Sequence, residues 1–271
     1  MKDFELRVLV KKLLSILDLA SLEVMKIYHS EDDGRQTKQD GSPVTKADLI
    51  ANKIISEGLQ ELGLSVPILS EEDYSQQAKE EDTFWMVDPL DGTKEFINKN
   101  GEFTLNIALI SKGSPILGVV AAPAVNEKYY GIPGFGSFKI KEGVEKKIES
   151  IKQGSDECKI TLSKSHNSES DSKFIALSEE YFKSVIAIPA GSSLKLCRVA
   201  EGSANIYCRL GPTYQWDIAA GQAVAEGAGC CVKDLKGETL SYSFDPKKKN
   251  PYFYCSGDQF FDWKGILNNF E

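Results

Sequence analysis

Two segments of the first sixty residues space their apolar positions with the period of an α-helix. Apolar side chains recur every three or four residues, at Leu6, Leu9, Val10, Leu13, Leu17 and Ala20. This spacing places them on one face of a helix that we expect to run to about Tyr28. A second helix is predicted over residues 47–62, with Gly63 as its C-cap. The polar, glycine-containing stretch between them, residues 31–42, is predicted to be a mobile loop.

Short apolar runs and strict alternation follow, and both are typical of β-strands. Residues 66–69 and 84–87 are short apolar runs, and each ends directly in carboxylates. Residues 103–109 alternate with the period of a half-buried strand. Two more features are predicted from turn residues: a strand over 116–121, and a hairpin over 129–140. The first half of the chain is therefore expected to hold helices followed by antiparallel strands.

Helical and strand-like segments alternate in the second half, which favours a layered α/β arrangement. Strands are predicted over residues 159–162, 184–188, 206–209, 230–233 and 253–255. Helices are predicted over residues 194–201 and 218–226, and the polar segment between the first two strands also has a helical composition. A polar stretch at 141–157 marks the expected boundary. We predict an N-terminal α+β subdomain of residues 1–155 with an antiparallel sheet, and a C-terminal α/β subdomain of residues 156–271.

Composition and charge exclude several classes of protein. Hydrophobic residues make up 41% and charged residues 27% of the 271 positions, as in an ordinary globular protein. The net charge of −8 disfavours nucleic acids and membrane surfaces as partners, because both are polyanionic. The longest apolar stretch, residues 116–125, is far shorter than the roughly 20 residues of a membrane-spanning helix. We therefore expect no integral membrane segment and no nucleic-acid partner.

The cysteines and histidines indicate the cellular compartment and limit the possible catalytic mechanisms. The six cysteines form no C-x-x-C pair and no zinc-like spacing, and the N-terminus has no signal-peptide core, so a cytoplasmic location is predicted. Only two histidines are present, which excludes a mechanism that needs several imidazoles.

The most informative stretch is residues 85–95, W-M-V-D-P-L-D-G-T-K-E. A strand is expected to end at Asp88, and Pro89 to turn the chain so that Asp91 returns three residues later. Such a turn aims two carboxylates and the intervening carbonyl at one point, as Mg²⁺ requires. Gly92 lets a phosphate approach the backbone, and a helix that begins near Thr93 would bind an anion. The alternative is a plain acidic turn.

Two stretches nearer the N-terminus could complete such a site. Residues 70–73 are S-E-E-D and follow a predicted strand, although on their own they are typical of a solvated charge cluster. Residues 41–48, G-S-P-V-T-K-A-D, turn into a helix that Thr45 or Asp48 could cap without any catalytic role.

Two stretches in the second half can likewise be interpreted either as ligand-binding or as purely structural. Residues 191–195, G-S-S-L-K, open a helix with Lys195 in its first turn, and Arg209 lies fourteen residues further on. Together they could hold an anion, or they could be an ordinary helix start. Asp217, in W-D-I-A-A-G, stands at the start of a helix. It could be an N-cap aspartate that still offers an oxygen to a cation.

These stretches together resemble the inositol monophosphatase superfamily of lithium-sensitive, Mg²⁺-dependent phosphatases. G-S-P-V-T-K-A-D, L-S-E-E-D, W-M-V-D-P-L-D-G-T-K-E-F, G-S-S-L-K-L-C-R-V-A-E-G and W-D-I-A-A-G stand in family order over nearly the whole chain. Within the superfamily the chain is most similar to the CysQ-type 3′(2′),5′-bisphosphate nucleotidases. The resemblance implies an α/β fold, the layered αβαβα sandwich of the inositol monophosphatase and fructose-1,6-bisphosphatase type.

The resemblance also implies a role for each matching residue. The metal ligands would be Glu71, Asp88, the carbonyl of Leu90, Asp91 and Asp217, and they would hold two or three Mg²⁺ ions. The catalytic residues would be Asp48 and Thr93, which orient and deprotonate the water, and Glu72 beside it. The substrate contacts would be Gly92, Thr93, His166, Ser192, Lys195 and Arg209, of which His166 is the loosest match.

The implied function is that of a phosphoric monoester hydrolase. It would remove the 3′-phosphate of adenosine 3′,5′-bisphosphate to give AMP and phosphate, in sulfate assimilation or nucleotide recycling. Lys195 and Arg209 would meet the second phosphate. The expected partner is a small nucleotide, and the protein is expected to be a monomer or a homodimer.

Three alternatives remain open at this point. An inositol monophosphatase or related sugar phosphatase would use the same metals. A non-catalytic binder of the same fold would lack some of the ligands, all of which are present here. A phosphoaspartyl phosphatase would need D-x-D-G-T, whereas two residues separate the aspartates in this chain.

Overall fold

The computed structural model describes residues 3–38, 41, 43–73, 81–154, 156–163 and 169–270. The helices in these ranges are α1 (Asp3–Tyr28), α2 (Lys46–Glu61), α3 (Thr93–Ile97), α4 (Glu169–Tyr181), α5 (Leu194–Ala200), α6 (Trp216–Gly227) and α7 (Lys264–Leu267). The strands are β1 (Gln36–Thr37), β2 (Pro43–Val44), β3 (Ile68–Ser70), β4 (Thr83–Asp91), β5 (Thr104–Ser111), β6 (Ser114–Ala122), β7 (Glu127–Ile132), β8 (Gly136–Lys141), β9 (Val144–Ile148), β10 (Glu157–Leu162), β11 (Ser184–Pro189), β12 (Ile206–Arg209), β13 (Cys231–Asp234) and β14 (Phe253–Ser256).

Two large sheets organise the molecule. The first has seven strands in the order β3-β4-β5-β6-β7-β8-β9. Its strands are antiparallel apart from the parallel pair β3–β4. The second has five strands in the order β11-β10-β12-β14-β13, with β10 parallel to both of its neighbours. The prediction of antiparallel strands in the first half and alternating elements in the second is confirmed.

Three hydrophobic clusters show that these elements form five layers. One cluster joins α1 and α2 to a face of the first sheet, through residues such as Leu13, Ile55 and Ile107. Another joins the opposite face of that sheet to α5, α6 and the second sheet. The remaining cluster packs the second sheet against α4 and α7. The order helix, sheet, helix, sheet, helix is the αβαβα sandwich that the sequence predicted.

The central strands of the first sheet are buried on both faces. Along β5, Ile107 belongs to the cluster with α1 and α2, whereas Ala108 belongs to the cluster with α5 and α6. The prediction of a half-buried strand at 103–109 is therefore wrong. The polar position Asn106 misled it, because this side chain is buried and hydrogen-bonded to Thr104.

Helix α6 approaches the first sheet closely where the strands carry glycine. A Cβ atom added at Gly118 would lie 2.3 Å from the carbonyl oxygen of Ala220, and one at Gly131 would lie 2.5 Å from that of Ala223. Neither glycine has a positive φ, so the requirement is space rather than backbone conformation. This close contact fixes the distance between α6 and the first sheet. The first turn of α6 carries Asp217.

Two short elements lie where the sequence predicted irregular chain. The predicted loop at 31–42 contains β1, which pairs antiparallel with β2. The polar boundary stretch contains β9, which pairs with β8 and adds the last strand of the first sheet. Strand β9 was not predicted because it is an exposed edge strand. Its lysines and glutamate leave few apolar residues from which a strand could be recognised.

Sheet membership changes between Ile148 and Glu157, since β9 belongs to the first sheet and β10 to the second. One hydrophobic cluster nevertheless contains residues of both sheets, such as Ala108 and Phe253. The division into subdomains near residue 155 stays a prediction.

Candidate active site

Acidic residues meet at one edge of the first sheet because β3 and β4 are parallel. Ser70 lies opposite Val87 in this pair, and the backbone N–H of Glu71 donates to the carbonyl of Val87 at 3.1 Å. The carboxyl ends of both strands therefore reach the same edge. This pairing brings Glu71 and Glu72 next to the part of β4 that carries Asp88.

Strand β4 does not end at Val87, and Pro89 does not turn the chain away. Asp88 pairs with Asn106 and Asp91 pairs with Thr104, so two residues of β4 bulge opposite one residue of β5. Within the bulge the N–H of Leu90 donates to Asp88 Oδ1 at 3.1 Å. The predicted turn is therefore wrong in its form. A bulge re-aims side chains while the strand continues, because an extra residue is accommodated without a partner.

Helix α3 begins directly after β4, as predicted. Gly92 is its N-cap with φ +91°, and a Cβ atom there would lie 2.3 Å from Ser192 Oγ. Both observations require glycine. The next residue, Thr93, donates from Oγ1 to Asp48 Oδ1 at 3.0 Å.

Asp48 is held from a second side by the start of α2. Thr45 is the N-cap, and its N–H and its hydroxyl donate to Asp48 Oδ2 at 2.7 and 2.6 Å. This capping box leaves Oδ1 for Thr93. The capping reading and the catalytic reading of residues 41–48 are therefore compatible, because each uses a different oxygen of the same carboxylate.

Asp217 is the second residue of α6, and Gln215 is the N-cap. The N-cap interpretation of Asp217 is thus wrong. Its carboxylate reaches back and accepts from the N–H of Tyr214 through Oδ2 at 2.9 Å. One bond of this kind occupies one oxygen and leaves the other available to a cation.

A cavity of about 150 Å³ gathers six of the predicted residues from four elements and the turns beside them. Its lining includes Asp91, Gly92, Ser192, Lys195, Arg209 and Asp217, with Glu95, Ser163, Leu196, Tyr207, Thr213 and Ile218 completing it. Carboxylates and cations thus face one small space. Asp48, Glu71, Glu72, Asp88, Leu90 and Thr93 lie outside this lining, on the β3–β4 side of the site.

The cationic side of the cavity is built by α5 and β12. Lys195 is 7% exposed and lies with its ammonium 5.5 Å from the centre of the Tyr207 ring. Burial lowers the pKa of Lys195, and the charge of Asp91 opposes that shift. Arg209 donates to the carbonyl of Pro212 at 3.2 Å, while its buried Nε has no protein partner. Both side chains therefore keep donors for an anion.

The carboxylates of the site repel one another. Burial, together with the charges of Glu71 and Asp91, raises the pKa of Asp88 well above its usual range. Burial also raises the pKa of Asp91 to about 7, and Lys195 opposes this shift. Burial and the charge of Asp91 raise the pKa of Asp217 in the same way.

Lys38 pairs with Glu71 and Glu72, a contact that was not predicted from the sequence. Its ammonium lies 2.9 Å from Glu71 Oε1 and 2.6 Å from Glu72 Oε1. Burial raises the pKa of Glu72 to about 6, and the bond from Lys38 opposes that shift. More than thirty residues separate Lys38 from this pair, so neither spacing nor periodicity connected them.

The residues fit a hard divalent cation. Among the described residues, no lysine or arginine lies within ion-pair distance of Asp88, Asp91 or Asp217, although Asp88 is buried and the other two are partly buried. Buried carboxylates are ordinarily paired with a cation or bound to a metal. Oxygen donors of this kind suit Mg²⁺. As they stand, the described residues form no group of three or more acidic, histidine or cysteine side chains already spaced around one ion.

His166 and Glu95 differ from the other residues in how the sequence prediction compares with the structure. His166 lies outside the described residues. Glu95, which lines the cavity and acts electrostatically on both Asp91 and Lys195, was missed. Its position in the first turn of α3, two residues after Thr93, could have indicated that it lies at the site.

Comparison with known proteins places this geometry in a family. Residues 7–257 match the model of the inositol monophosphatase family. The chain belongs to the inositol monophosphatase family. Relatives in this family include the 3′(2′),5′-bisphosphate nucleotidase CysQ of Escherichia coli, which is 45% identical over 86% of this chain and 93% of its own length. The protein of that name from Salmonella typhimurium is 45% identical over 80% of this chain and 86% of its own length.

A solved family structure has the same fold. CysQ from Bacteroides thetaiotaomicron, described as a bacterial member of the inositol monophosphatase family, superposes with a TM-score of 0.76 and 34% identity. The superposition covers 89% of this chain and 94% of that one. The family membership and the fold expected from the sequence are both confirmed.

Proposed function

We propose that this chain is a Mg²⁺-dependent 3′(2′),5′-bisphosphate nucleotidase. It hydrolyses the 3′-phosphate of adenosine 3′,5′-bisphosphate and releases AMP and phosphate. The observation that carries the proposal is the cavity in which Lys195 and Arg209 face Asp91 and Asp217. A substrate with two phosphates needs cations for one and a metal-binding carboxylate cluster for the other. The names of the bacterial relatives support the same activity.

Glu71, Asp88, Asp91, Asp217 and the carbonyl of Leu90 would hold the metal, two or three ions in number. When bound, Mg²⁺ supplies Lewis-acid stabilisation of the phosphoryl oxygens and of the leaving 3′-oxygen. The support is the donor set itself, which consists of hard oxygens on buried or partly buried residues.

Thr93 and Asp48 orient the attacking water, and Glu72 lies on the same side. Because Thr93 donates to Asp48 at 3.0 Å, its oxygen keeps lone pairs that accept a proton from the water. The water oxygen forms a bond to phosphorus while the bond to the 3′-oxygen breaks, and the released oxygen takes up a proton. Gly92 allows the scissile phosphate to approach the backbone at the start of α3.

Ser192, Lys195 and Arg209 contact the nucleotide, with the two cations directed at the phosphate that is not cleaved. His166 would contact the base side. The described helices include none that is both long and apolar enough to cross a bilayer. All six cysteines are free thiols, which supports a reducing compartment and hence the proposed cytoplasmic location.

Product identification tests the proposal. Incubation of adenosine 3′,5′-bisphosphate with enzyme and Mg²⁺ is expected to give AMP and phosphate, separated by chromatography, with none formed in excess EDTA. The isomeric product, adenosine 3′-phosphate, would contradict the proposed orientation. The absence of any product in Mg²⁺ would contradict the activity.

A further inference from the structure

Helix α5 is too short to hold its own position. It has seven residues, and its N-cap residue Ser193 makes no side-chain capping bond to the helix. An isolated helix of this length is unstable in water, because few backbone bonds form for the cost of nucleation. Lys195 lies in its first turn, so the placement of this ammonium depends on contacts made by the rest of the helix.

The N-terminal end of α5 is tied to the first sheet. Ser193 Oγ donates to Asn106 Oδ1 at 2.6 Å and lies 2.7 Å from Thr104 Oγ1. Ser192 Oγ lies 2.9 and 2.8 Å from the carbonyl oxygens of Asp91 and Glu102. These contacts fix where the helix begins, and buried apolar side chains such as Leu196 and Val199 pack the helix into the core. The C-terminal end carries a further anchor.

A buried network of charges fixes the C-terminal end. Arg198 lies 2.7 Å from Glu201 on its own helix and 2.9 Å from Glu127 on β7. Lys139 on β8 bridges the same two carboxylates, at 2.7 Å from Glu201 and 2.9 Å from Glu127. The hydroxyl of Tyr129 accepts from Arg198 at 2.8 Å and lies 2.9 Å from both carboxylates.

The network is strongly held by its own electrostatics. Burial alone would raise the pKa of Glu127, but the hydrogen bond from Lys139 and the charge of Arg198 hold it at about 2. Side-chain exposure is 5% for Glu127 and 10% for Glu201. Removing one member of such a buried set leaves an uncompensated charge and shifts its neighbours.

The network lies close to Lys195. Arg198 follows Lys195 by three residues, which corresponds to about 4.5 Å along a helix axis. None of the network residues lines the cavity. We propose that Arg198 and Glu201 are positioning residues, which anchor α5 to β7 and β8 and thereby hold the Lys195 ammonium where, by the proposed function, it meets the uncleaved phosphate.

The test is a double-mutant cycle between Glu201→Gln and Lys195→Ala. Glu201→Gln keeps the size of the side chain and removes its charge. It should raise KM for adenosine 3′,5′-bisphosphate by about 3- to 10-fold, the coupling expected within one network, and leave kcat within about twofold. KM for adenosine 3′-phosphate, which lacks the second phosphate, should not change. In the Lys195→Ala background the same substitution should have no further effect on KM.

Control variants separate positioning from general destabilisation. Glu23→Gln removes a carboxylate of an exposed ion pair with Lys26 on α1, which packs on the opposite face of the first sheet from α5, and should change neither KM. Arg198→Lys keeps the cation and should recover most of the affinity that Arg198→Met loses. Melting temperatures are recorded for every variant, so that a loss of fold is not mistaken for a loss of positioning.

Titration with AMP makes the inference independent of turnover. AMP keeps the uncleaved phosphate, so its dissociation constant in Mg²⁺ should rise in Glu201→Gln by the same factor as KM. A wild type that binds AMP and does not hydrolyse the bisphosphate rejects the proposed function alone. The positioning role is overturned if wild type does not bind AMP, if Glu201→Gln leaves its dissociation constant unchanged, or if the effects of the two substitutions add fully.

Discussion

At the residue scale, the site depends on Asp88, Asp91 and Asp217, which have no lysine or arginine within ion-pair distance in the part of the chain that the structure describes. Asp91 illustrates this: it directly follows the bulge of β4, lines the cavity, and has a pKa raised by burial to about 7. A group held at this energetic disadvantage stabilises the protein only when a cation is bound. Function, rather than folding, therefore accounts for its placement.

Asp91→Asn should reduce turnover by at least about 10²-fold, because it removes charge where a bound metal stabilises the transition state. The fold should survive, since the substitution also removes repulsion from Glu71. Phosphate release at saturating Mg²⁺ and the melting temperature without Mg²⁺ measure the two effects. Near-wild-type activity would rule out Asp91 as a metal ligand.

Thr93→Ala should lower kcat by about 10²–10⁴, the range for loss of a general base, with little change in Mg²⁺ affinity. The reason is that Thr93 donates to Asp48 and, by the proposed mechanism, connects the attacking water to this carboxylate, while the proposed metal ligands are untouched. The Mg²⁺ dependence of the residual activity reports the affinity. Thr83→Ala, which loses a contact to Ser111 at the other end of β4, is the control. A parallel loss of Mg²⁺ affinity would make Thr93 a structural residue instead.

Lys195→Ala should raise KM for adenosine 3′,5′-bisphosphate by about 10- to 100-fold and change kcat much less. A charge-assisted bond to phosphate contributes roughly 1.5–3 kcal/mol, and contacts present in both ground and transition states affect mainly KM. Steady-state kinetics on both substrates, with exposed Lys53→Ala as the control, measure the effect. Hydrolysis of inositol 1-phosphate should hardly respond, and an equal loss on both substrates would argue against the assigned role.

At the scale of elements, periodicity predicted most helices and strands because burial follows one face of each. α1, α2 and α6 were predicted within a few residues of their ends. Pattern failed where an element is exposed on both sides or buried on both sides. β9 has a single buried residue, and β5 has none that is exposed.

The motifs singled out residues of which six line one cavity, but local sequence could not predict how these residues contact one another. The pairing of Thr93 with Asp48 spans 45 positions and that of Lys38 with Glu71 spans 33. Such contacts depend on tertiary packing, for example that of α2 against β4, which no local pattern predicts. The bulge in β4 had no clear signal either, because Pro89 is equally compatible with a turn.

Gly118→Ala should destabilise the protein by about 1–3 kcal/mol, because the new Cβ would meet the backbone of α6 and the well-packed layer cannot yield. The 2.3 Å approach to the Ala220 carbonyl oxygen is the structural reason. Urea unfolding measures the change. Gly154→Ala is the control, since nothing lies within 4 Å of its Cβ position and its φ is not positive, and it should have little effect. Equal stability of the two variants would refute the close packing of α6.

At the scale of the whole molecule, a protein with net charge −8 is proposed to bind a substrate that is itself polyanionic. The five-layer fold resolves this conflict locally. It brings Lys195 from α5 and Arg209 from β12 into the same cavity as Asp91 and Asp217. Because only these two cations are proposed to meet the phosphate that is not cleaved, affinity for the bisphosphate should depend on where they lie more than on the net charge of the protein.

The central claim is that these two cations select a substrate with a second phosphate. The measurement that tests it most directly is the ratio of kcat/KM for adenosine 3′,5′-bisphosphate to kcat/KM for inositol 1-phosphate, taken on wild type in saturating Mg²⁺. A single charge-assisted bond of 1.5–3 kcal/mol predicts a ratio of at least about 10 to 100 in favour of the bisphosphate. A ratio at or below one would contradict the nucleotidase assignment and favour a sugar phosphatase.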